Sequence, residues 1–247
     1  MSKNDRIEIF RRGFSFALDG PGNRLVYHLA GCNFRCPWCT NPECFSPASP
    51  HTTIAAADII QEAVGAKPLF FSGGGVTFTG GEPTLQFFPL RDCLAGLRER
   101  GINTCVESNA GHPRLPGLFP LIDHLILDCK HHDSALHRQW TGEGNESVLE
   151  NIRAAATRIA AMERAQLLVR IPLIGGVNAS EADAHAFASL LSSLGKFPVE
   201  LLRYHEYGKP KWAQCGMEYT MRDAEISPAQ AARFAEILRA AGIAVHL

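Results

Sequence analysis

Apolar positions along the chain follow two recurring patterns. Short runs rich in Val, Ile, Leu or Phe, bounded by Gly, Pro or polar residues, predict strands at Leu25–Ala30, Gly75–Thr79, Asn103–Glu107, His124–Cys129, Leu167–Leu173 and Val199–Tyr204. Between them the apolar positions recur at helical spacing. Ser147 with Glu150 reads as a capping box opening a helix towards Met162, and Ser180 with Asp183 opens another towards Leu194 and Gly195. Thr53 similarly precedes a helical pattern over Ile54–Val64. The last helix is the most sharply bounded, with Ser227 as N-cap, Pro228 in the first turn, Gln230 completing the box and Gly242 as terminator, ahead of a short strand candidate at Ile243–Leu247.

Strands alternating with helices imply parallel strands joined by right-handed crossovers, with chemistry gathered at the strand carboxyl ends. Six such units are present, too few for a closed eight-stranded barrel. Periodicity alone does not separate an open, partial barrel from a flat doubly wound sheet. The longest irregular pieces are Gly13–Asn23 and Asn41–His51, and with no repeat, low-complexity tract or long linker, residues 1–247 read as a single α/β domain.

Composition narrows the function classes. The 247 residues are 46% hydrophobic and 20% charged, which suits one globular unit with a sizeable core. A formal charge of −1, a pI near 6.8 and the lack of any long basic cluster argue against nucleic acid or an anionic membrane as partner. Met1–Phe10 alternates charged with apolar residues, unlike a signal peptide, and no apolar run is long enough to span a bilayer. A cytoplasmic location is the default expectation.

Of the eight cysteines, Cys93, Cys105, Cys129 and Cys215 are scattered through apolar segments, where thiols commonly act as small hydrophobes. Cys32, Cys36, Cys39 and Cys44 are instead crowded together directly after the first predicted strand. Three closely spaced thiolates suit an iron–sulfur cube that keeps one iron open for a substrate. The alternative is a structural zinc site with Cys44 or His51 as fourth ligand, although zinc loops usually carry two separated pairs.

The Cys-x₃-Cys-x₂-Cys spacing of Cys32, Cys36 and Cys39, with Trp38 before the last cysteine, resembles the signature of radical S-adenosylmethionine enzymes, and Gly31 through Asn41 resembles the cluster loop of the pyruvate formate-lyase activating family. Further motifs match that family in order: Asp19-Gly20-Pro21-Gly22, Ser72 to Thr77 running into Gly80-Gly81-Glu82, Leu127 to Lys130, Val169-Arg170, and Tyr204 to Lys209. This resemblance implies an open, partial (β/α)6 barrel of TIM-like form, a 4Fe-4S cluster and S-adenosylmethionine. It further implies reductive cleavage to a 5′-deoxyadenosyl radical, which removes a glycine α-hydrogen from a partner glycyl radical enzyme, with flavodoxin or ferredoxin as electron donor.

Carried over residue by residue, the resemblance implies that Cys32, Cys36 and Cys39 hold the cluster and that Trp38 and Asn41 lie near the adenosyl moiety. Gly80, Gly81 and Glu82 would meet the methionine amino group, glycine allowing close backbone approach. Gly73–Gly75 reads instead as a plain turn. Glu107, Ser108 and Asp128 match positions that bind a monovalent cation, K⁺ or Na⁺, although the family typically has Asp and Thr at the first two. The alternative is a pair of strand-end carboxylates bonded within the protein. Lys130, Arg170 and His205 are candidate catalytic and cofactor-contacting residues lining the same cleft, and Asp19–Gly22 is a candidate substrate loop at the lateral gap of the barrel. Thr40 replaces the histidine that often follows the third cysteine. Cys44 is expected as a bystander in an exposed loop, or else as an extra redox thiol. His131, His132 and Asp133 are expected to face water from a surface loop, as is the Arg11-Arg12 pair. Competing readings are a radical enzyme acting on a small molecule, and a zinc-stabilised interaction protein or simple electron carrier.

Overall fold

The computed structural model describes residues 5–46, 48–162 and 165–247. The first four positions of the Met1–Phe10 stretch lie outside them.

The chain opens with β1 (Arg6–Phe16), β2 (Asn23–Leu29), β3 (Thr52–Ala55), α1 (Ala56–Ala66), β4 (Gly75–Gly80), α2 (Phe87–Glu99) and β5 (Thr104–Ser108). It continues through β6 (His124–Asp128), α3 (Ser134–Thr141), α4 (Glu146–Ala160), β7 (Gln166–Leu173), α5 (Glu181–Leu194), β8 (Val199–Arg203), α6 (Lys209–Gln214), α7 (Pro228–Ala240) and β9 (Val245–His246). The strands form one nine-stranded sheet in the order β3-β1-β2-β4-β5-β6-β7-β8-β9. From β2 to β9 every pairing is parallel, and β1 and β3 extend the sheet antiparallel beyond β2. The sheet does not close, so β3 and β9 remain its edges. The six expected strands are β2 and β4 to β8, and the short terminal candidate is β9.

Side chains alternate across each parallel strand, and the two faces differ in chemistry. Val76 and Phe78 of β4, Val106 of β5, Leu167, Val169, Ile171 and Leu173 of β7, and Val199 and Leu201 of β8 join the helices in the apolar core. The intervening positions include Thr77, Thr79, Glu107, Arg170 and Glu200. Register sets Asp128, Arg170 and Glu200 level with one another on β6, β7 and β8. The concave side is therefore a polar interior.

Arg24 anchors that interior at the amino ends of the strands. Its guanidinium is fully buried and donates to Thr77 Oγ1 at 2.7 Å, the Val76 carbonyl at 2.9 Å and the Pro21 carbonyl at 3.1 Å. Thr77 in turn donates to the Asp19 carbonyl at 2.7 Å, which folds the β1–β2 turn under the sheet.

Three expected boundaries are corrected. The Gly13–Asn23 loop begins later, because β1 runs to Phe16 with Ile7 and Ile9 in the core and a register shift between Ile9 and Arg11. Thr53 caps no helix: Thr52, Thr53 and Ile54 pair with β1, as β-branched residues favour, and α1 starts at Ala56. The Ser147/Glu150 box does not form, since α4 starts at Glu146 after Asn145, whose amide donates to the carbonyls of His131 and His132. The Ser180/Asp183 and Ser227/Gln230 boxes are both present.

Replacing Arg24 by Met strands several buried carbonyls at once. Urea unfolding of Arg24→Met should show a loss of about 3 kcal/mol, the upper end for unsatisfied buried groups; a loss indistinguishable from zero would contradict this anchoring role.

Candidate active site

The cysteine loop leaves the carboxyl end of β2 and is pinned from several directions. Gly31 N–H donates to the Cys44 carbonyl at 2.6 Å, Arg35 N–H to the Thr141 carbonyl at 2.8 Å, and Trp212 Nε1 to the Cys39 carbonyl at 2.9 Å. Backbone N–H groups of Phe34 and Asn41 donate to Cys32 Sγ and Cys39 Sγ, each at 3.4 Å. Asn109 Nδ2 also approaches Cys32 Sγ, at 3.7 Å. Such donors favour thiolates. Cys32 and Cys39 are both held below the ordinary thiol range, chiefly by a hydrogen bond from Cys44, whereas burial pushes the Cys36 thiol up to about 12. Lys130 adds positive charge beside all three.

The donor set fits a cluster better than a single ion. Among the described residues, the group of three potential ligands whose atoms lie within 4.8 Å of one another is His131, His132 and Asp183, not the cysteine loop. Zinc would draw its thiolates onto one point. That histidine group is itself occupied. His131 Nδ1 accepts from Asp133 N–H at 3.0 Å, so its Nε2–H faces the Val177 carbonyl at 3.1 Å, and His132 Nε2 pairs with Asp183 at 2.9 Å. His131 is buried, which corrects its expected exposure. The Arg11-Arg12 pair is also partnered, Arg11 donating to Asn41 Oδ1 at 2.8 Å and Arg12 to Glu62 at 2.7 Å.

Cys44 is a further correction. It is 1% exposed and its thiol meets those of Cys32 and Cys39, so it is no bystander in an open loop.

Gly80 and Gly81 bring backbone to the cavity wall beside this loop. A Cβ at Gly81 would stand 1.9 Å from the Gly31 carbonyl, so only glycine permits this approach. Glu82 lies behind them, with a fully buried carboxylate. Its Oε1 accepts from Thr84 N–H and Ser108 Oγ at 3.1 and 2.8 Å, and its Oε2 from Asn109 N–H at 2.7 Å. The backbone of Gly80 and Gly81, rather than this committed carboxylate, is what the segment offers to a ligand.

Charged groups from neighbouring strands line the rest of the cavity. Arg170 donates to Glu200 at 2.6 Å and to Glu107 at 3.3 Å, while Lys130 donates to Asp128 at 2.6 Å. The two carboxylates expected beside a monovalent cation thus already face protein cations, and the Ser108 hydroxyl is committed to Glu82. Burial raises the Glu107 carboxyl to about 7 against the pull of Arg170. Trp38, Asn41, Thr40 and His205 also line the cavity. Asn41 reaches towards the Gly80 carbonyl at 3.5 Å, and His205 stacks on Tyr207. Asn109, Glu200, Thr79 and Trp212 went unnoticed in the sequence. Asn109 and Glu200 had weak signals, lying directly after Glu107-Ser108 and within a predicted strand.

Asp19–Gly22 lies elsewhere. It forms the turn at the amino end of β2, where Gly20 and Pro21 line a second cavity; Arg170 borders both cavities.

Residues 26–188 match the radical SAM superfamily, and the chain belongs to it. That superfamily implies a 4Fe-4S cluster and S-adenosylmethionine as cofactors. The chain is 31% identical over 228 residues to the pyruvate formate-lyase-activating enzyme of Staphylococcus aureus (strain USA300), covering 88% of this chain and 89% of that enzyme. A solved domain of pyruvate-formate lyase-activating enzyme from Bacteroides vulgatus is 31% identical, with a TM-score of 0.56 over 70% of this chain and 98% of the other. Streptococcus suis SuiB, solved bound to S-adenosylmethionine, shares the fold at 17% identity, with a TM-score of 0.66 over 90% of this chain and 49% of its own. Among the described residues no helix is long and apolar enough to cross a membrane.

Glu107 supplies a pH test. The folded chain keeps a proton on it up to about pH 7, which the unfolded chain releases near its ordinary value of 4.5. This contribution to stability is present below the unfolded value and is lost as pH rises through about 7. Unfolding free energies should therefore shift in favour of Glu107→Gln relative to the native chain between about pH 5 and pH 8; a constant difference across that range would rule this out.

Proposed function

We propose that the chain is a glycyl radical enzyme activase. The observation that carries this reading is its 31% identity, across nearly the full length of both proteins, to a pyruvate formate-lyase-activating enzyme. The site chemistry supports it. Cys32, Cys36 and Cys39 would hold the cluster, two of them as sulfurs already accepting backbone N–H bonds. When bound, cluster and S-adenosylmethionine supply the 5′-deoxyadenosyl radical that abstracts the glycine α-hydrogen. Trp38 and Asn41 flank the adenosyl side. Gly80 and Gly81 offer backbone to the methionine end, and Lys130, Arg170 and His205 position carboxylate and carbonyl groups in the cavity they line.

The partner is read as a glycyl radical enzyme of the pyruvate formate-lyase type, and the electron donor as flavodoxin or ferredoxin, with a cytoplasmic location. The open sheet edge leaves room for a loop from a folded protein. Asp19–Gly22, at the amino end of the polar interior, would contact that loop. A monovalent cation near Glu107 and Asp128 would compete with Arg170 and Lys130 for the same oxygens, so S-adenosylmethionine binding should vary little among K⁺, Na⁺ and choline salts. Tenfold weaker binding in choline would restore the cation.

Anaerobically reconstituted protein should carry about four irons and release 5′-deoxyadenosine on reduction. Ala at Cys32, Cys36 or Cys39 should abolish both. Mixed with candidate glycyl radical enzymes, the native chain should generate a doublet in electron paramagnetic resonance that vanishes when the partner glycine is replaced by Ala. Consumption of a small metabolite in step with 5′-deoxyadenosine, without any glycine-dependent doublet, would instead make it a small-molecule radical enzyme.

A further inference from the structure

Glu200 lies on β8 in register with Arg170 of β7, and Arg170 is itself level with Asp128 of β6. An arginine so placed has a carboxylate at hand on each side. It takes only one of them. Its Nε donates to Glu200 at 2.6 Å, Asp128 is left to Lys130, also at 2.6 Å, and its Nη1 reaches past β6 to Glu107 of β5 at 3.3 Å. Thr79 Oγ1 steadies Glu107 in turn, donating to its other oxygen at 3.0 Å. The remaining nitrogen, Nη2, makes no hydrogen bond among the described residues. Arg170 borders both cavities, whereas Glu107, Asp128 and Lys130 line the one with the cysteine loop and Glu200 lines the other. Glu200 thus grips the guanidinium from outside the active cavity. With Arg170 only 14% exposed and Glu200 27%, the pair is sheltered from the solvent that weakens surface ion pairs.

We propose that Glu200 is a positioning residue: by holding Arg170 Nε it keeps the guanidinium off Asp128, so that Arg170 and Lys130 stay apart and each presents N–H groups to the carboxylate of S-adenosylmethionine. The inference rests on the radical chemistry proposed above. An arginine side chain has much rotamer freedom to lose, and fixing it before the ligand arrives lowers the cost of binding. Without Glu200 the level carboxylate is Asp128, where Arg170 would compete with Lys130. Both cations would then lose their aim.

The test compares the reconstituted full-length chain with Glu200→Ala and Glu200→Gln, alone and combined with Arg170→Lys, whose side chain has no Nε to hold. Isothermal titration should show S-adenosylmethionine binding about tenfold weaker in Glu200→Ala, as loss of a charge-assisted bond implies. Glu200→Gln, whose amide oxygen still accepts from Nε, should come back to within about threefold of the native chain. In 5′-deoxyadenosine release, Glu200→Ala should raise KM for S-adenosylmethionine and leave kcat unchanged. Adding Glu200→Ala to Arg170→Lys should weaken binding no further, because a residue that acts only through Arg170 has nothing left to lose. Additive losses in the double variant would overturn the proposal, as would a Gln variant as weak as the Ala variant. Unchanged or tighter binding in Glu200→Ala would overturn it too, tighter binding making Glu200 a competitor for Arg170. All of these leave the radical reading intact. A native chain that neither binds S-adenosylmethionine nor releases 5′-deoxyadenosine would overturn that reading together with this one.

Discussion

The active-site rim depends on one buried carboxylate. Glu82 lies out of reach of water, and an ionised group there is tolerable only if its oxygens are met by donors. Thr84, Ser108 and Asn109 provide them, from the segments that follow β4 and β5. The Glu82 N–H donates to the Gly31 carbonyl at 2.8 Å, where the cysteine loop begins. Asn109 then reaches Cys32 Sγ and Asn33 Oδ1. Three loops from three strands are thus fixed by the need to satisfy a single charge, and the thiols inherit their placement from it.

The same logic shapes the interior. Parallel sheets usually bury both faces in hydrocarbon, which would leave no room for ionic chemistry between the strands. Here the helix side is apolar, while the concave side mixes apolar residues such as Ile126 and Leu168 with Arg24, Glu107, Asp128, Lys130, Arg170 and Glu200, which bond to one another, to hydroxyls or to carbonyls. Each of these polar groups has hydrogen-bond partners within the protein. The cavity can therefore hold polar ligands at modest reorganisation cost.

Much of this was legible in the sequence, and the gaps have physical causes. The six parallel strands announced themselves because each needs a continuous apolar run, and the helices with complete capping boxes were bounded correctly. β1 escaped notice because Arg11, Arg12 and Gly13 break its alternation just where the register shifts. The crowding of Cys32, Cys36 and Cys39 directly after a strand was legible from spacing, and the loop does leave the carboxyl end of β2. The burial of Cys44 was not, since it depends on contacts with Gly31 and Gly81, which local sequence does not reveal. Nor was the pairing of Glu107, because Arg170 lies on a strand 63 positions later.

The indole of Trp212 holds the Cys39 carbonyl across a sequence separation of 173 residues. This long span sets an order of events during synthesis. The thiols emerge early from the ribosome, and a nascent chain still lacking α6 exposes them on a loop whose far side is untethered. Contacts of such long sequence separation cannot form until both partners have been synthesised, and they slow folding. The loop that carries the three thiols is thus fully tethered only when the chain is nearly finished.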